Sequence, residues 1–267
     1  MSIDRDGFLS PDIAQTRDGY RAQHPDDFQM IIEINRVAQS VLPSFTTLQR
    51  TTKNLFACGY YIRALQNLQG AVLMSEHGLM SEAYTLVRSG LETVFYLGAT
   101  IRAENFQDEV ARDHVKRMQG ALAGYKKAVP AGDPDIDTNE LEAVLRSTLP
   151  EGVDPAKISI ETIAKQAELS ALYDGLYRQL SAAHAHPSLL SLSSIWDVGE
   201  DHETLGVLWG PERGRPEEIK HVLSLTSAVM YNLLAQWGRL LVQNHQAETE
   251  FHQRIRQLGL KYQADVS

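Results

Sequence analysis

Apolar residues recur along most of this chain at alternating three- and four-residue steps, the period of one face of an α-helix. Residues 1–25 break that rhythm. They carry Pro11, Pro25 and few apolar side chains, and read as a flexible N-terminal arm. Asp26 and Asp27 then supply acids for a helix start, Phe28, Ile31, Ile32, Ile34, Val37, Ala38, Val41 and Leu42 are its apolar positions, and Pro43 ends or kinks it. Leu55, Cys58, Ile62, Leu65, Leu68 and Val72 repeat at helical spacing toward Gly78, which predicts a helix over 55–77. The next segment, 79–102, is apolar nearly all round, as expected of a helix at the centre of a bundle. A mixed-charge helix follows over 105–129, and then an acidic break from Pro130 to Asp137. Short helices are expected over 138–147 and 159–169. Another, over 170–185, must stop before Pro187.

Between 186 and 211 the period changes, and the segment reads as a short irregular or β-hairpin insert. Pro216 with Glu217 and Glu218 then opens the best-marked helix. Ile219, Leu223, Thr226, Met230, Leu233, Trp237 and Leu240 step by four and three, a seam suited to internal packing or to a homodimer surface. The expected fold is all-α: a bundle of six to eight helices in a single domain over 26–267. Its core is expected from the helices at 55–77, 79–102, 170–185 and 216–250.

Composition narrows the classes. The chain has 267 residues, enough to bury a core without covalent staples. Lys and Arg total 25 against 34 Asp and Glu, so no overall basic field favours nucleic acid or an anionic membrane. Cys58 is the single cysteine, which rules out an internal disulfide or a cysteine-built zinc site and suits a reducing cytoplasm. Its place on an apolar stripe suggests a buried, inert thiol. Met1 to Pro11 is polar, so a secretory signal is not expected there, and no run of about 18 apolar residues occurs, so no membrane span is expected.

Candidate chemistry is sparse. The chain holds no phosphate-binding glycine loop, no nucleophile elbow and no Glu-x-x-His, so neither a cofactor nor a di-iron centre is expected. Arg88 and Glu92 stand out, four residues apart in an otherwise apolar helix. Charges there cost several kcal/mol unless paired, so they form an internal ion pair or one wall of a polar pocket, or else they lie at the surface. The second cluster runs from Tyr177 to Ser188. Tyr177, Ser181 and His184 share a helix face, with Arg178 near it, and His184 and His186 lie where the helix must stop. An imidazole can move a proton near neutral pH and an arginine can grip phosphate. A histidine at a helix end is also explained by the dipole alone. Glu92, His184 and His186 would make a thin metal site. Arg112, Lys116, Arg117, Lys126 and Lys127 read as a solvated basic stripe.

Arg88-Ser89-Gly90-Leu91-Glu92, with Tyr177-x-x-Leu180-Ser181-x-x-His184-x-His186-Pro187-Ser188, resembles a family of uncharacterised bacterial helical proteins over roughly 55–237. The second segment is also similar to the signature of HEPN helical nucleases, with five residues between Arg178 and His184, although Gln179 stands where those domains usually carry Asn, Asp or His. That resemblance implies RNA as partner, a homodimer whose facing subunits contribute arginine and histidine, and cleavage without metal. His184 would transfer the proton, Arg178 would stabilise phosphate charge, and Arg88, Glu92, Tyr177, Ser181 and His186 would support the site. The competing expectation is a non-catalytic helical protein that binds a small molecule or a protein partner.

Overall fold

An amphipathic helix keeps its apolar stripe from water only by laying it on another element. The computed structural model describes residues 3–128, 142–143, 147, 152–184, 192, 196–198, 205–207, 216–243, 253 and 257. Its main helices are α1 (Ile13–Gln23), α2 (Pro25–Ser40), α3 (Thr52–Glu76), α4 (Met80–Arg102), α5 (Phe106–Ala128) and α6 (Ile160–Gln166). After these comes α7, which runs through Ser170–Leu172, a π-helical turn at Tyr173–Tyr177 and Arg178–Ala183. The last is α8 (Pro216–Gln243). The fold is an all-α bundle. Within the insert, β1 (Trp196–Val198) pairs antiparallel with β2 (Leu205–Val207), Trp196 opposite Val207.

Three helices make the centre. α3 ends in a tight reversal: Gly78, at φ +78°, adopts the left-handed conformation, and the Leu79 amide donates back to Met74 O at 2.9 Å. This folds α4 back along α3. α8 lies against α2, α3 and α4, and its whole predicted seam, Ile219 to Leu240, is buried inside the chain. Trp237 packs on Tyr61 at 4.9 Å and on Phe45 at 4.5 Å between ring centroids, and the Tyr61 hydroxyl donates to Ala38 O at 2.9 Å. α4 is the most central helix, touching α3, α5, α6, α7 and α8. α2 belongs to the core as well, through Ile31, Ile34 and Ala38, whereas α7 packs on one flank of α4.

Two expectations need correction. The face of α3 that enters the core is Ala57, Tyr61, Ala64, Leu65, Leu68 and Ala71, while Leu55 and Ile62 are 64% and 40% exposed. Small side chains let α4 approach closely. A Cβ on Gly90 would lie 2.9 Å from Leu68 Cδ2, so the larger aliphatics of α3 are turned outward where no helix comes so near. The supposed N-terminal arm contains α1, a docked helix. Tyr20 and Thr16 are buried, and Arg21 Nη2 meets the buried Glu76 carboxylate at 2.5 Å. The expected acidic break at 130–137 and nearly all of the expected helix at 138–147 lie outside the described residues.

Candidate functional site

Polar residues on α4 face polar residues on α7 in an antiparallel ladder. Glu92 meets Tyr177, Arg88 meets both Tyr177 and Ser181, and Thr85 meets His184. The steps match because 85, 88 and 92 rise by three and four, and 177, 181 and 184 by four and three. Each set therefore forms one helical row. The Arg88 guanidinium donates from Nε to Ser181 Oγ and from Nη2 to the Tyr177 hydroxyl, both at 2.8 Å, and Nη2 pairs with Glu92 Oε1 at 2.8 Å. Tyr177 in turn donates its hydroxyl to Glu92 Oε1 at 2.5 Å. Burial, then the Glu92 carboxylate, raises the Tyr177 phenol above its usual range and keeps it a donor. Arg88 and Glu92 retain 21% and 25% side-chain exposure, so the cluster reaches the surface at its edge.

The π-helical turn positions Tyr177. Its wider turn stacks Tyr173 on Tyr177 at 5.2 Å, and both rings lean on Phe95 of α4, at 6.4 and 6.0 Å. Single π turns often mark functional positions in helices.

At the last turn of α7, the His184 backbone carbonyl accepts from Thr85 Oγ1 at 3.3 Å, and its ring stacks on Tyr84, centroids 3.9 Å apart and planes 17° from parallel. The Tyr84 hydroxyl lies 2.9 Å from His221 Nδ1 on α8. His184 Nδ1 is buried with no hydrogen-bond partner. Burial, and then the neighbouring His221, hold the His184 imidazole below the ordinary histidine value. Burial, reinforced by Glu218, pushes the Tyr84 phenol up to about 12.

Arg178 stands apart from this row. It lies six positions before His184, and at 3.6 residues per turn the two leave the helix in different directions. Arg178 is exposed, pairs with Asp174 at 3.2 Å and covers the Tyr173 ring at 5.2 Å. His186 lies outside the described residues. Among the described residues no group of three His, Cys, Asp or Glu is placed to hold a metal ion. No helix there is long and apolar enough to cross a membrane. Cys58 is half-buried, and burial raises its thiol pKa, which keeps it protonated. The basic residues of α5 are exposed, but Asp113 between them is buried, pairs with Arg117 and accepts from the Ile158 amide at 3.2 Å. A separate cavity of about 300 Å³ opens between α1, α2, α3 and α8, with Arg21, Asn35, Gln69 and Glu76 over Ile31 and Met230.

Tyr84 and His221 were not singled out by the sequence. Tyr84 reads there as one more apolar-face residue, although its four-residue step to Arg88 is a usable signal. Nothing local marks His221.

Residues 54–203 match the model of a family described as "Family of unknown function (DUF5677)". The match contains Arg88, Glu92, Tyr177, Arg178, Ser181 and His184 and ends before His221. No curated protein and no solved structure matches the chain.

Proposed function

The chain belongs to that family, and we propose that it cleaves single-stranded RNA without a metal ion, with His184 as the group that moves the proton. The observation that carries this reading is the His184 imidazole. It is half-buried at a helix end beside the Arg88 cluster and is held toward its neutral form. A neutral imidazole is a proton acceptor near pH 7. It would take the proton of the ribose 2′-hydroxyl, the freed oxygen would attack phosphorus, and the bond to the 5′-oxygen would break. The products are a 2′,3′-cyclic phosphate and a 5′-hydroxyl end. The exposed Arg178 is held at home by a surface ion pair worth little. It is therefore free to grip a phosphate across a homodimer, as the HEPN resemblance implies. Arg88, Glu92, Tyr177 and Ser181 fix the end of α7 on α4 and so orient His184.

The test is incubation of the purified protein with single-stranded RNA in chelator. Cyclic-phosphate products are expected, with a loss of about 100-fold or more in His184→Ala and in Arg178→Ala. Circular dichroism checks that both variants fold. Cleavage that survives His184→Ala ends this reading.

One observation favours a second reading. Three donor contacts of Arg88 are answered within the chain, and its charge is met by Glu92. A network closed in this way serves as a latch between two helices, and the protein is then a non-catalytic helical binding or scaffold protein. In that case RNA stays intact, and a true ligand raises the melting temperature with the logarithm of its concentration over Kd.

A further inference from the structure

We propose that His184 and His221, bridged by Tyr84, share a single proton and serve as base and acid of one reaction. This rests on the RNA-cleavage reading above and extends it to a residue outside the matched family segment.

The geometry comes from three helices. Tyr84 projects from α4, His184 ends α7, and His221 sits in the second turn of α8. One face of the Tyr84 ring carries the His184 imidazole in near-parallel stacking, while its hydroxyl meets His221 Nδ1 at 2.9 Å. The His221 ring itself is 5.7 Å from the Tyr84 ring centroid, inclined at 57°. A phenol hydroxyl suits this bridging place. It donates to Nδ1 when His221 is neutral and accepts from Nδ1–H when His221 is charged, so either state is satisfied. The phenol stays protonated throughout, because burial and Glu218 keep it from ionising near neutral pH.

Two imidazolium ions, one stacked on the Tyr84 ring and one at its hydroxyl, repel, so the pair holds one proton more readily than two. His184 is half-buried, whereas His221 is exposed and keeps its hydration. The assignment places the proton on the exposed His221 and leaves the half-buried His184 neutral. Glu218 on α8 acts on Tyr84, and one turn along α4 Arg88 is paired with Glu92.

In this assignment His184 accepts the 2′-hydroxyl proton as the 2′-oxygen–phosphorus bond forms. His221 gives its proton to the departing 5′-oxygen as the phosphorus–5′-oxygen bond breaks. The step ends with His184 charged and His221 neutral, and exchange with water restores the starting state. No electron is transferred to or from the protein.

The experiment has two arms. In the first, histidine ring resonances are followed by NMR from pH 5 to 9 in wild type, His221→Gln and Tyr84→Phe. The His184 midpoint should rise when His221 is replaced, and Tyr84→Phe should change the His221 titration. An unmoved His184 midpoint overturns the shared proton. In the second arm, kcat is measured against pH. A neutral base and a charged acid give a bell. His184→Gln should lose the acidic limb, and His221→Gln should lose the alkaline limb with a fall of about 100-fold at the optimum. A wild-type profile in His221→Gln removes it as the acid. RNA left intact by the wild-type protein ends the cleavage reading, and the shared proton then stands or falls on the NMR midpoint alone.

Discussion

Arg88 shows how a single residue organises its surroundings. Its guanidinium sits among apolar side chains and is tolerated because Glu92, Tyr177 and Ser181 accept its hydrogen bonds. Arg88→Ala should leave Glu92 short of a cation and two hydroxyls short of a donor. The expected loss is about 1–3 kcal/mol by urea denaturation, below the cost for a fully buried pair because both side chains are partly exposed. The double variant Arg88→Met/Glu92→Leu removes both charges together and should recover most of that loss. If it is no more stable than Arg88→Ala, the stranded-charge account fails. The four-residue spacing of Arg88 and Glu92 was readable in the sequence because helix geometry is local. The hydrogen bond between Tyr84 and His221 was not, since its partners lie 137 residues apart.

At the scale of elements, close approach to α4 depends on glycines. A Cβ on Gly90 would lie 2.9 Å from Leu68 Cδ2, and one on Gly98 would lie 2.8 Å from Ala167 Cβ and 3.4 Å from its Cα. Both alanine substitutions should destabilise by about 1–3 kcal/mol, the usual cost of overpacking. Gly98→Ala should be the worse, because a leucine tip can turn aside and a backbone cannot. Gly120→Ala, on α5 with nothing within 4 Å, should instead gain about 0.4–1 kcal/mol when all three variants are compared by urea denaturation. A loss at Gly120 equal to that at Gly98 would refute the packing explanation. Periodicity revealed these helices but not the working face of α3. Alanines and one tyrosine looked less hydrophobic than the leucine and isoleucine stripe that ended up partly in solvent. Which stripe wins depends on how near the neighbouring helix can come.

Across the whole molecule, α1 ties the chain's beginning to the bundle. Glu76 is 2% exposed at the end of α3, and the Arg21 guanidinium on α1 meets its carboxylate. Arg21→Ala should leave that carboxylate buried without its cation and cost about 1–3 kcal/mol. The melting temperature should then drop by roughly 2–4 °C for each kcal/mol lost. Glu76→Gln, which keeps the shape and removes the charge, should make the further loss of Arg21 nearly silent. Full additivity of the two changes would show that the residues do not act on one another. The α1 helix escaped the sequence reading because Ile13, Thr16 and Tyr20 are too few and too mixed to form a visible stripe.

The all-helical class, the central place of the 80–102 segment, the seam of the last helix and the two polar rows were determined by the sequence alone. Each follows from residue spacing along one helix, and such spacing is a local property. The tertiary structure alone decided that Arg178 turns outward, that Tyr84 and His221 join His184, and that the N-terminal segment docks as a helix. These outcomes depend on which faces meet across long chain separations, and packing sets that through the space each side chain leaves for its neighbour.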